Sequence, residues 1–171
     1  MLVLRYTLRM NISNQTPSPF YRTIATIFRK HTWLGIPLYT MIRLFRPKYS
    51  LGAVGVIFNS ERQVLLVEHV FHPKTPWGLP GGWVNRHEDP ATTVIRELQE
   101  ELSITVTIEQ VVAVKSLSHN HLDLAYLCHT TEPIGKLSNE LLAYQWFDID
   151  DMPQILSFHY LAIQQARKNL Q

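Results

Sequence analysis

Three glutamates, Glu97, Glu100 and Glu101, stand at positions i, i+3 and i+4 of the run Arg96-Glu97-Leu98-Gln99-Glu100-Glu101. On a helix, that spacing gathers them on one side. Like charges so placed cost about 0.2–0.5 kcal/mol per pair, and a divalent cation between them reverses the sign. An oxygen-only ligand set with no accompanying cysteine suits a hard ion, Mg2+ or Mn2+. The same ion can neutralise phosphate oxygens, so the chemistry open to this cluster is metal-assisted work on a phosphate group. The bland alternative is a solvated acidic face.

The helix that must carry them opens at Asp89-Pro90, where Asp caps orphan N–H groups and Pro is tolerated at the first helical position. From there Ala91, Val94, Ile95, Leu98 and Leu102 recur at helical spacing and predict an apolar face over 90–102. Upstream, Gly82 precedes Glu88 by six positions. Before it runs the Gly/Pro-rich turn Trp77-Gly78-Leu79-Pro80-Gly81-Gly82-Trp83.

Taken together, Gly82, Glu88, Arg96, Glu97, Leu98, Glu100, Glu101 and Ile104 resemble the Nudix box, the signature of the Nudix hydrolase family, at every fixed position but one. Ser103 stands where the family has glycine. The resemblance covers about residues 51–165. It implies an α/β/α sandwich with a mixed β-sheet and metal-dependent hydrolysis of a pyrophosphate linkage in a nucleoside diphosphate joined to another group. It implies that Glu97, Glu100 and Glu101 hold the metal, with Glu97 also taking the proton of the attacking water and the Gly82 carbonyl as a further ligand. Glu88 and Arg96 become structural members that fix the loop against the helix. Glu140 lies where several family members place a late metal ligand or base.

Marks of particular subfamilies lie downstream of the box. The proline common in ADP-ribose-type enzymes has no counterpart between Pro90 and Pro133, and residues 118–122 lack the tyrosine of dinucleoside-polyphosphate types. What remains resembles the generic MutT-like group, with a nucleoside triphosphate or nucleoside diphosphate sugar as expected substrate. The alternative is a catalytically silent Nudix-fold nucleotide-binding or regulatory module. The left-handed turn that the box glycine serves is expected to strain Ser103 by about 1 kcal/mol.

Several other residues are candidates for substrate contact. Lys74 and Arg86 flank the box in loops and suit phosphates. His119 and His121 sit at a strand end, and Trp77 or Trp83 could stack on a base, although Trp83 could equally be core. For each histidine a solvated loop side chain is the ordinary alternative.

The 171 residues suit one domain plus an extension. Residues 1–60 hold half of the 16 Lys+Arg and none of the 14 Asp+Glu, so a basic arm joins an acidic catalytic region. The expected division is a basic extension over 1–48 and the hydrolase domain over 49–171. In the extension, a polar stretch with two prolines before residue 20 predicts disorder, and Met10 is a second candidate start. Residues 20–30 and 37–46 predict two short amphipathic helices. Such helices ordinarily bury their apolar face in protein, packed onto the domain or onto a second copy in a homodimer, or they could lie on an anionic membrane through residues 20–48; no specific nucleic-acid partner is expected.

In the domain, strands are expected over 51–58, 63–70, 104–117, 122–130 and 142–149, with a last helix from about 153 to 168. Charges interrupt each apolar window long enough to span a bilayer, no secretory signal is apparent, and the single Cys128 excludes an internal disulfide. A cytoplasmic location, peripheral to the membrane if the arm docks there, is the expectation.

Overall fold

The computed structural model describes residues 18–117 and 120–170. Most of the segment expected to be disordered, Met10 and His119 lie outside them. The chain divides into two compact units, Met1–Arg46 and Pro47–Gln171.

In the first unit, α1 (Pro19–Lys30) and α2 (Gly35–Phe45) are joined by a 3-10 turn at Thr32–Leu34. Pro19 opens α1, where its missing N–H costs nothing. α2 starts two residues before Pro37, which fits within the first turn for the same reason. Neither helix buries a single residue.

The second unit contains β1 (Ser50–Ile57), β2 (Val64–His69), β3 (Trp77–Gly78), β4 (Gly81–Trp83), α3 (Pro90–Leu102), β5 (Thr107–Leu117), β6 (His121–His129), β7 (Leu141–Phe147) and α4 (Ser157–Arg167). One mixed sheet has the order β4-β1-β6-β5, with β1 and β6 parallel. A second, antiparallel sheet has the order β3-β2-β7.

Side chains alternate across a strand, and both faces of β1 and β2 are buried. Ala53, Ile57, Leu65 and Val67 pack with Val94, Leu98 and Leu102 of α3. Val54, Val56, Val64 and Leu66 pack with Phe158, Ala162 and Ile163 of α4. Strands buried on both faces read as continuous apolar runs, which is how Ala53–Ile57 and Val64–Val67 read. The result is the α/β/α sandwich with a mixed sheet.

Two expectations need correction. The turn over 77–83 contains two short strands: β3 pairs with β2, and Gly81 and Gly82 let β4 lie flat against β1. The last helix begins at Ser157, since Met152 and Ile155 are drawn onto the second core as extended chain. Its buried face is Phe158, Ala162, Ile163 and Ala166, leaving Leu156 and Tyr160 exposed.

Candidate active site

α3 begins as its sequence dictates. The Asp89 carboxylate accepts from the Ala91 N–H at 2.9 Å and Pro90 fills the first helical position. It ends at Ser103 in the left-handed conformation, φ 53° and ψ 41°. The Ser103 hydroxyl donates to the Lys136 carbonyl at 2.9 Å, and the Gly135 N–H donates to the Leu102 carbonyl at 2.9 Å. The serine keeps the glycine-type turn and ties it to the 135–136 loop.

Arg96 and Glu88 form a two-point pair: Nε donates to Oε1 at 2.9 Å and Nη2 to Oε2 at 3.1 Å. Those hydrogen bonds from Arg96 hold the Glu88 carboxyl down at about 2. The remaining arm of the guanidinium reaches Glu97 at 2.8 Å and Glu100 at 3.2 Å, and Nη2 also donates to the Trp83 carbonyl at 3.4 Å. One cation thus touches three carboxylates and strand β4.

The three glutamates of the helix are not equivalent. Glu101 is only 6% exposed and accepts from the Gly81 N–H at 2.9 Å. Burial, reinforced by the charges of Glu97, Glu140 and Glu100, pushes its carboxyl up to about 8. Glu97 lies under Gly82, where a Cβ would meet its Oε1 at 2.5 Å, and burial raises it too. Glu100 is open to solvent. Glu140, just before β7, is close enough for its charge to raise both Glu97 and Glu101. The Val70 N–H anchors its backbone through the Glu140 carbonyl at 3.0 Å.

Four carboxylates, Glu97, Glu100, Glu101 and Glu140, therefore crowd one corner beside β4, and Arg96 pairs with two of them, Glu97 and Glu100. The donor set is all oxygen and mutually repelling, which is the chemistry of a site for a hard divalent cation. Among the described residues no three such groups converge on one point, because Arg96 draws Glu97 and Glu100 to itself.

The backbone of β4 corrects one sequence expectation. The Pro80 carbonyl and the Val84 N–H bond to β1, through Gly55 and Leu51, whereas the Gly81 N–H and the Trp83 carbonyl bond to Glu101 and Arg96. Strand alternation then turns Gly82, in register with Ala53, toward β1. The carbonyl facing the carboxylates is that of Gly81. Sequence spacing locates the glycine pair and cannot tell which of the two points outward.

The remaining candidates scatter. Lys74 and Arg86 are exposed in the loops on either side of β3 and β4. Trp77 is drawn into the second core and meets Phe147 edge-on at 5.2 Å, so its ring is committed to packing. Trp83 is 64% exposed and lies 4.8 Å from the ring of His121. The sequence did not single out His159. Its Nδ1 accepts from the Leu79 N–H at 3.1 Å, and its ring closes over Gly78 beside His69. A histidine in a terminal helix carries no local signal of that position.

Comparison with known proteins agrees with the geometry. Residues 48–166 match the family model of the NUDIX domain. The chain belongs to that family and is a Nudix hydrolase. A MutT-like protein of Streptomyces ambofaciens is 26% identical over 115 residues, 67% of this chain and 73% of its own. Nudix hydrolase 7 of Arabidopsis thaliana is 30% identical over 114 residues, but the match spans 40% of that longer protein. The crystal structure of a MutT NUDIX hydrolase from Burkholderia pseudomallei superposes with a TM-score of 0.59 at 25% identity, covering 70% of this chain and 98% of that one.

Proposed function

We propose that this hydrolase cleaves the pyrophosphate linkage of a nucleoside triphosphate or nucleoside diphosphate sugar, with Mg2+ or Mn2+ as cofactor. The observation that carries the proposal is the crowding of Glu97, Glu100, Glu101 and Glu140 against the outward edge of β4. These four side chains and the Gly81 carbonyl would hold the ion, which when bound neutralises phosphoryl oxygens. Glu97, raised by burial, accepts the proton of the water that attacks one phosphorus, and the second phosphate leaves. Arg96 and Glu88 fix the loop over 84–89 against α3. Lys74 and Arg86, exposed in the loops on either side of β3 and β4, are the cations that would meet further phosphates in this reading. His119 keeps its expected role as a substrate contact within this proposal.

Two measurements on the full chain test this reading. Calorimetric titration with Mn2+ should show binding that Glu100→Gln weakens. A panel of nucleoside triphosphates, diphosphate sugars, ADP-ribose and dinucleoside polyphosphates should show metal-dependent turnover that collapses in the same variant. Absence of both metal binding and turnover would shift the assignment to a silent nucleotide-binding module.

A second reading concerns the first unit. α2 is apolar almost all round yet buries nothing, with Phe45 84% exposed. A helix of that kind needs an apolar environment. Residues 20–48 carry Arg22, Arg29, Lys30, Arg43, Arg46 and Lys48 and no acid. That combination fits contact with an anionic membrane surface better than self-association, which would set like charges together. Among the described residues no helix is long and apolar enough to cross a membrane. A cytoplasmic setting is part of the proposal. The full chain should pellet with phosphatidylglycerol vesicles and not with phosphatidylcholine alone. Dimerisation without pelleting would favour the homodimer.

A further inference from the structure

Beside Trp83 lies a side-chain array that the hydrolytic reading does not use. The Asp123 carboxylate accepts from His121 Nε2 at 2.7 Å, and His121 Nδ1 meets the Ser50 hydroxyl at 2.9 Å. With both nitrogens engaged the imidazole cannot turn, and its side chain is 18% exposed. Gly52 makes room for the pair: a Cβ there would stand 2.3 Å from the Asp123 carboxylate and 3.3 Å from His121 Nε2. Ser50, Gly52, His121 and Asp123 share one face of adjoining parallel strands, in the register Ser50↔His121 and Gly52↔Asp123. Trp83, in register with Gly52 from the other side, extends that face, its ring at 57° to the imidazole. A tryptophan held on a strand and left 64% exposed is an open aromatic surface.

From this we infer that Trp83 and His121 form the stacking site for the nucleobase of the substrate, with Ser50 and Asp123 as positioning residues that lock the imidazole. The inference rests on the assignment of the carboxylate corner as the reaction centre and adds the part of the substrate that the corner cannot read. The two sites adjoin along β4. Gly82 faces Glu97, and Trp83, one residue further, faces the opposite side of the strand. β4 is the edge of its sheet, so a nucleotide can place its phosphates on one side of the strand and its base on the other. Arg96 ties the Trp83 carbonyl to Glu88, Glu97 and Glu100, which fixes the spacing between base and phosphate sites. Stacking accepts any base, so the site selects for a planar ring rather than a particular one.

The test is calorimetric binding to the full chain, without turnover, of AMP, GMP, CMP and UMP against ribose 5-phosphate. The native chain should bind the nucleotides about 5- to 100-fold more tightly than the base-free sugar phosphate. Trp83→Ala should abolish that advantage and Trp83→Phe keep most of it. Asp123→Asn should reduce it while the affinity for ribose 5-phosphate stays unchanged, a selectivity that general loosening of the fold would not produce. Each variant should melt within about 2 °C of the native chain; if Trp83→Ala does not, His121→Ala reads the same difference. An equal advantage in native and Trp83→Ala proteins, or none in the native chain, overturns the inference. Glu100→Gln keeps the advantage, so failure of the hydrolytic reading and failure of the stacking site are separate results.

Discussion

Arg96 holds Glu88 by two parallel hydrogen bonds, at 2.9 and 3.1 Å, while its third nitrogen bridges Glu97 and Glu100. The geometry of a planar fork is what lysine cannot reproduce. Arg96→Lys should therefore lower both the urea midpoint and turnover, the latter at least roughly tenfold, because the loop that presents β4 loses its anchor. Glu88→Gln should do the same, and the double variant should be little worse than either single one. Strict additivity in urea melts would show that the two residues act independently.

The adjacent glycines Gly81 and Gly82 should respond differently to alanine. Gly81 has φ 140° and a Cβ there would lie 2.3 Å from the Ala53 carbonyl oxygen, so Gly81→Ala should cost on the order of 3 kcal/mol in chemical denaturation. At Gly82 the obstacle is the Glu97 carboxylate at 2.5 Å, a side chain that can move aside. Gly82→Ala should cost about 1 kcal/mol yet weaken Mn2+ binding, since the displaced group is a proposed ligand. Equal loss of stability at the two positions would contradict this account of β4.

At Ser103, two opposing contributions nearly cancel. Glycine would remove about 1 kcal/mol of left-handed strain and lose a hydrogen bond to the Lys136 carbonyl worth about the same. Ser103→Gly should thus leave stability within about 0.5 kcal/mol, while Ser103→Ala, which keeps the strain and loses the bond, should cost about 1 kcal/mol. An alanine variant as stable as the native chain would show that the hydroxyl contributes nothing, and one as stable as the glycine variant would show that the left-handed turn carries no strain.

Histidines 69 and 159 set an acid limit. Burial, with His72 adding repulsion at His69 and both His69 and His72 at His159, holds the two imidazoles down to about 4 from an ordinary 6.5. Above pH 6.5 both are neutral folded or unfolded, and the fold keeps its full stability. As pH falls from 6.5 toward 4, the unfolded chain takes up protons that the folded one refuses, so stability falls. Protonation of His159 Nδ1 would also break its bond from the Leu79 N–H. His159→Gln should flatten this slope, by on the order of 2 kcal/mol between pH 7 and 4.5. Parallel slopes for native and variant chains in urea melts would remove His159 from the explanation.

Helix α3 was legible because its signals are local. A cap at Asp89, a proline at the next position and apolar residues at helical spacing fixed its limits at 90–102. The grouping of Glu97, Glu100 and Glu101 on one helix followed from spacing, whereas Glu140 entered only through the family resemblance. What spacing could not supply was side: Glu101 faces inward, Ile95 is exposed, and of the glycine pair it is Gly81 whose backbone polar groups turn toward the acids. Those outcomes depend on how β4 lies against β1, a contact between distant segments. The same limit hid the Ser50–His121–Asp123 array, whose members come from strands that meet only in the folded sheet, and let Trp77, which packs on Phe147, stand beside Trp83 as a stacking candidate. α4 began later than expected because extended packing of Met152 and Ile155 outweighed the helix-start signal at Asp150–Pro153.

The parallel pairing of β1 with β6 joins Ser50 to His121, 71 residues apart. During synthesis β1 emerges early and waits for its central partner until β6 has left the ribosome. Its other neighbour, β4, offers only three residues. Closure of so long a loop must precede the reward of the contacts it brings, and topologies of this kind fold slowly for their size. The nascent chain therefore presents the apolar stretch Ala53–Ile57 without its β6 partner while the 71 residues that separate the paired positions are made, which makes this strand the segment where a chaperone would hold it.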